Sequence, residues 1–270
     1  MRIKVLTINM WGFPEPLSID KKKRFIELTN LIERDKIDIV ALQEIWTYKD
    51  VEFLKSRLIK SFFSNVPPKN LFFNRSGLML FSKYKLQNCN FIKFNGISEP
   101  PSKKGIQEVS LVLGGMKVRI LNTHLKYTPL HIISKSWEIQ HNSDLKTLAK
   151  SPLLPIKSKG WMRQYKSLMD SLLRDPYCPT ILLGDFNVYD IRDFLKDLPT
   201  NFQIISPIEE STHSVNNIYT RTRSNTIIDT GQIADLIVTN IKDIKVLETK
   251  VIKTPLISDH YPVLVTFEMQ

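Results

Sequence analysis

A chain of 270 residues with 42% hydrophobic and 10% aromatic side chains can bury one large core, which excludes a disordered or collagenous polymer. Basic residues outnumber acidic ones 38 to 27, and the net +11 suits nucleic acid, an anionic membrane surface or another phosphate-bearing ligand, although scattered lysines also follow from base composition alone. Two cysteines, Cys89 and Cys178, exclude a disulfide-stapled scaffold, and no uncharged apolar run approaches the ~18 residues that span a bilayer.

Residues 2–8 alternate polar and apolar side chains, the pattern of a half-buried strand. They reach Thr7 and Asn9 too early for the core of an export signal, so the cytoplasm or a leaderless secretion route is expected. After Pro14-Glu15-Pro16, Ser18 or Asp20 is placed to cap a helix running to Arg34, with Phe25, Leu28, Leu31 and Ile32 on one face. Lys21-Lys22-Lys23-Arg24 in that helix and Lys103-Lys104 are the two basic clusters. Residues 37–42 form a short apolar run of buried-strand type, and 49–58 a second helix. Strands are predicted over 77–82, 86–94, 106–113, 117–122, 180–183, 235–238, 245–252 and 261–267. Another helix is predicted over 160–173, with Met162, Tyr165, Leu168, Met169 and Leu172 on one face. No repeat or linker divides the chain. A single domain over 1–270 is expected, built as two facing mixed sheets with outer helices.

Polar residues gather where the apolar runs end. Residues 39–42 lead into Gln43-Glu44, 118–121 into Asn122-Thr123-His124, and 181–183 into Gly184-Asp185-Phe186-Asn187. The first strand ends at Asn9, and Ser258-Asp259-His260 precedes the last. Strand ends form the rim of a sheet, where ligand sites sit. Singly, each has a structural explanation: Glu44 caps a helix, Asp185 and Asn187 build a turn, His124 is a hydrogen-bonded imidazole. Gathered in one cleft, these carboxylates repel one another and lose hydration, an arrangement that needs a cation or protons. Oxygen donors without Cys suit Mg²⁺, or Mn²⁺, better than zinc.

Together these motifs resemble the endonuclease/exonuclease/phosphatase superfamily, the group containing deoxyribonuclease I and the neutral sphingomyelinases. The resemblance implies a four-layer α/β/β/α sandwich of two mixed β-sheets flanked by helices, and metal-dependent hydrolysis of phosphate esters. Its nearest branch is the neutral sphingomyelinases: Asn9-Met10-Trp11-Gly12 is similar to that branch's Asn-x-Trp-Gly opening. Glu44-Ile45-Trp46 resembles its Glu-x-Trp element, and Phe81-Ser82-Lys83 the end of one of its strands. Lys104-Gly105 matches a Lys followed by a small residue. The branch likeness thins beyond Lys126, where a long connection reaches Arg163-Gln164. An insertion at about 126–158, with a helix over 136–149, is expected to border the cleft as a binding loop or to be a surface excursion.

By the family pattern, Glu44, Asn9 and Asp259 are implied metal ligands. His260 is the implied general base, and Asp235 its tautomer-fixing partner, although the family usually carries an aromatic where Leu236 stands. Asp185 is expected to orient the attacking water or a second ion, Asn187 to contact the phosphate, and His124 to donate to a phosphoryl or leaving oxygen. Asn122 and Lys104 are expected phosphate contacts. A neutral His260 as base implies activity that falls below its ordinary pKa of ~6.5, shifted by Asp235. The expected enzyme is a monomeric Mg²⁺-dependent phosphodiesterase of sphingomyelinase type, taking a phospholipid headgroup and touching membranes peripherally. The alternatives are a nuclease acting on DNA or RNA, a phosphoinositide phosphatase, and an idle binding protein.

Overall fold

The computed structural model describes residues 1–67, 73–94, 103–126, 154–188, 194, 196–214, 217–223 and 232–270, with backbone only at 154–159 and 221–223. In chain order the elements are β1 (Arg2–Asn9), α1 (Lys21–Arg34), β2 (Ile39–Gln43), α2 (Tyr48–Leu58), β3 (Phe63–Asn65), β4 (Met79–Ser82), β5 (Gln87–Lys93) and β6 (Gly105–Leu113). There follow β7 (Met116–His124), α3 (Leu154–Leu173), β8 (Thr180–Asp185), β9 (Gln203–Ile204), α4 (Ile218–Arg223), β10 (Asp235–Thr239), β11 (Ile244–Val251) and β12 (Val263–Met269).

The strands form two six-stranded sheets, ordered β11-β12-β1-β2-β4-β3 and β5-β6-β7-β8-β10-β9. Each sheet holds one parallel pair at its centre, β1 with β2 and β7 with β8. A parallel pair needs a crossover, and α1 and the chain through α3 supply the two. Both sheets therefore deliver the C-terminal ends of their central strands to a rim.

Three apolar clusters make the four layers. Ile3, Val5, Ile39 and Ala41 of the first sheet meet Val109, Ile120, Ile181 and Ile237 of the second. Leu6, Ile8, Val40 and Leu42 point the other way, onto Phe25, Leu28 and Leu31 of α1 and Val51 and Leu54 of α2. On the second sheet, Leu121, Leu182, Leu236 and Val238 pack on Tyr165, Leu168 and Leu172 of α3. The fold is the expected α/β/β/α sandwich.

Several local expectations change. β1 is buried on both faces rather than half-buried, because the helices cover what an isolated sheet would leave wet. At the start of α1, Asp20 takes the N-cap position in a left-handed conformation, φ 53, without a side-chain capping bond. Ser18 is turned inward to Trp11 and Arg24. Arg24 itself, read as part of a basic cluster, is 0% exposed. The short strands β3 and β9 and the helix α4 carry too few apolar residues to announce themselves. Most of the 126–158 insertion, including the helix expected over 136–149, lies outside the described residues. α3 begins at Leu154, ahead of the predicted residue 160.

Candidate active site

Register places the site. In the parallel pairs Asn9 stands beside Gln43 and His124 beside Asp185, while antiparallel β10 begins with Asp235 beside that same Asp185. β12 runs antiparallel to β1, with Val263 opposite Thr7, which brings the preceding Ser258-Asp259-His260 to the same rim.

The side chains converge. Asn9 Nδ2 donates to Asp185 Oδ2 at 2.9 Å and to Glu44 Oε1 at 3.3 Å, bridging two carboxylates from different sheets. His124 Nε2 lies 3.4 Å from Asp185 Oδ2 and 3.9 Å from Glu44 Oε1. His260 Nδ1 meets Asp235 Oδ2 at 2.7 Å, and its Nε2 lies 3.9 Å from Asp185 Oδ2. Asp185 Oδ1 accepts from Asn187 N at 2.9 Å. Lys104 Nζ and Asn187 Nδ2 both donate to the Leu125 carbonyl oxygen, which holds them side by side. Asp259 accepts from Ser258 Oγ through Oδ1 and groups with His213 and His260 rather than with Glu44.

Asn122 turns out differently. It is 0% exposed, and its Nδ2 donates to Leu42 O, Met79 O and Gln107 Oε1 while its Oδ1 accepts from Gln43 Nε2. Gln43 also donates to Thr7 Oγ1. Asn122 therefore ties one sheet to the other beneath the site and presents no group to a phosphate there. The apolar alternation of β6 hides Gln107, so this amide network was not legible from the strand ends alone.

The backbone is bent to fit. Glu44 and Asn187, at φ 58 and φ 50, sit in the left-handed region, where a side chain is strained and persists only under surrounding constraint. Gly12 N donates to Glu44 O at 3.0 Å, and a Cβ on Gly12 would stand 2.2 Å from that oxygen. Arg24 secures the same loop, donating to Met10 O, Trp11 O and Ile257 O between the Trp11 and Tyr219 rings.

Electrostatics follow from burial. Asp185 is 1% exposed, and desolvation pushes its carboxyl up to about 6, against the favourable influence of His260, the Asn9 amide and Lys104. For His260, burial is the largest influence and disfavours the imidazolium. Asp235, Asp185 and Asp259 together outweigh it and push the ring up to about 10. Asp235 Oδ1 is buried with no hydrogen-bond partner among the described residues. A raised carboxyl and an orphaned carboxylate oxygen mark negative charge that the side chains present do not fully offset. Oxygen-rich, charge-deficient surroundings of this kind fit a hard divalent cation. Among the described residues, Asp185, Asp235 and His260 form one group with metal-ligand spacing and His213, Asp259 and His260 another; Glu44 joins neither and reaches Asp185 through Asn9. His213, in a Ser/Thr-rich loop with no apolar run before it, gave no signal in the sequence.

A family model described as the Endonuclease/Exonuclease/phosphatase family matches residues 6–260. A putative neutral sphingomyelinase of Drosophila melanogaster is 29% identical over 46% of this chain and 30% of its own length. Human sphingomyelin phosphodiesterase 2 is 25% identical over 52% of this chain and 36% of its own length. The matched stretch thus spans about a third of these relatives. Among solved structures, sphingomyelinase C from Streptomyces griseocarneus superposes with a TM-score of 0.69 at 17% identity, covering 98% of this chain and 99% of that one. Humanized D. rerio TDP2 gives 0.69 at 14% identity, covering 99% of both chains. At such identities these two likenesses speak for the fold.

Proposed function

The chain belongs to the endonuclease/exonuclease/phosphatase family, and from that premise we propose a Mg²⁺-dependent phosphodiesterase of sphingomyelinase type, which cleaves a phospholipid and releases its phosphorylated headgroup. The observation that carries the reading is the bridge of Asn9 between Glu44 and Asp185, set beside the Asp235–His260 pair at 2.7 Å. Glu44 and Asp185 are the residues whose oxygens would hold the ion, whose charge would offset that developing on the phosphoryl oxygens. Asn9, its Oδ1 accepting from Trp11 N and its Nδ2 donating to both carboxylates, spaces the two rather than ligating through the bridge.

The chain's own groups divide the remaining work. Asp235 Oδ2 accepts the Nδ1 proton of His260, which fixes the tautomer and leaves Nε2, near Asp185, to take a proton from the attacking water. Asp185 orients that water. His124 Nε2 faces both carboxylates and donates to a phosphoryl or leaving oxygen. Lys104 and Asn187, fixed together on the Leu125 carbonyl, contact the phosphate. Asn122 acts through Gln43 and Gln107 by holding the two sheets in register.

The lipid substrate is supported by the resemblance of Trp11-Gly12 and Glu44-Ile45-Trp46 to neutral sphingomyelinase segments and by the sphingomyelinase relatives. Purified protein should release phosphocholine from sphingomyelin micelles with Mg²⁺ and stop when EDTA is added. Cleavage of duplex or single-stranded DNA with sphingomyelin untouched would replace this substrate with a nucleic acid.

A further inference from the structure

The segment around His213 is tied into the site from two sides. Tyr261 N donates to Thr212 O at 2.7 Å, and His213 forms an antiparallel bridge with His260. Thr212 Oγ1 accepts from Ala234 N at 2.9 Å and from Asp235 N at 3.1 Å, so the same segment fixes the start of β10. These ties set the His213 and His260 rings 4.8 Å apart, centroid to centroid, with their planes at 51°. One ligand atom from each of His213, Asp259 and His260 lies within 4.8 Å of the others. Asp259 and His260 are buried and His213 is half-buried.

Two imidazoles and a carboxylate are a different donor set from the carboxylates of Glu44 and Asp185. Nitrogen-rich sets with three protein ligands and a place for water suit Zn²⁺ and its neighbours, whereas Mg²⁺ favours six oxygens. We propose that His213, Asp259 and His260 form a second cation site, selective for a Zn²⁺-type ion, whose occupation inhibits the enzyme. A zinc ion there takes a ring nitrogen of His260 as its ligand, and that imidazole is then withdrawn from proton transfer. The inhibitory half rests on His260 being the general base, as proposed above; the binding half does not.

The test separates the two. Zinc is titrated calorimetrically into chelator-stripped protein in excess Mg²⁺, for the wild type and for His213→Gln and His213→Ala. The wild type should bind one Zn²⁺ per chain, and both variants should bind at least ~10-fold more weakly. Inhibition by zinc of turnover in Mg²⁺, taken relative to each protein's own zinc-free rate, should weaken by the same factor. Equal affinity in the wild type and both variants, or no binding to the wild type, overturns the site. Weakened binding with unchanged inhibition overturns the inhibitory role. If no ester is turned over, the functional reading fails while calorimetry still decides the site. Should the variants not fold, X-ray absorption on the zinc-loaded wild type counts imidazole ligands: two support the site, and one or none overturns it.

Discussion

His260 is held between opposing demands. A base must shed its proton, yet Asp235, Asp185 and Asp259 surround the ring with negative charge that outweighs burial and pushes it up to about 10. The expectation of an activity limb near the ordinary imidazole value of ~6.5 therefore moves upward. kcat/KM should fall toward acid pH with its limb above that ordinary value, because Asp235 holds the Nδ1 proton even when a cation offsets Asp185, and only the neutral ring takes a proton from water. Asp235→Asn removes one of the groups holding the proton, so its limb should shift to lower pH, while kcat falls by roughly 10²–10⁴ as the tautomer is lost. A pH–rate profile checks both, and a limb that stays put in the variant would assign it to another group. At this scale the sequence was most legible where residues end strands: Asn9, Glu44, His124 and Asp185 stand where the apolar runs stop. It was least legible where a polar residue is buried by contacts far along the chain. Arg24 looks like one more charge beside three lysines, and only the fold brings Met10, Trp11 and Ile257 carbonyls around it.

The pairing of β7 with β8 carries the site more directly than any other element contact. Gly184 sits one residue before Asp185, at φ +150, and a Cβ there would stand 2.0 Å from Thr123 O. Only glycine lets the two strands approach so closely with His124 opposite Asp185. Gly184→Ala should force them apart, costing about 2–4 kcal/mol in denaturant unfolding and most of the turnover. A variant as stable and active as wild type would show that the pairing tolerates a shift. Long periodic elements were legible for a physical reason: α1 spaces Phe25, Leu28, Leu31 and Ile32 to meet one sheet face. β3 and β9, with three and two residues, have no room to show a period of two. The burial of both faces of β1 from Val5 to Asn9 was hidden as well, since a single strand does not reveal that helices cover its second face.

For the whole molecule, the sandwich gathers charge at one rim of both sheets. Asp185 and His260 each bind a proton more tightly folded than unfolded, so their stabilising contribution is fully present below the unfolded values. It is lost as pH rises through about 6 for Asp185 and about 10 for His260. Chelated protein should therefore melt at lower temperature at pH 9 than at pH 5, by roughly 5 °C or more. Mg²⁺ should raise Tm more at the alkaline end, because a cation offsets the same negative charge. A chelated Tm that climbs with pH over that range would contradict the electrostatic account. The layered architecture was legible from alternating apolar runs and helices, whereas the +11 charge says nothing of where the buried acidic residues Glu44, Asp185, Asp235 and Asp259 lie.

A cation-dependent centre organised around Glu44 underlies the proposed hydrolysis. Phosphocholine release from sphingomyelin, measured for the wild type and Glu44→Gln at saturating Mg²⁺ and again after EDTA, tests it most directly. The wild type should turn over only with Mg²⁺, and Glu44→Gln should fall by about 10³ or more with its Tm little changed. Release that survives EDTA, or a Glu44→Gln rate equal to wild type, would contradict it.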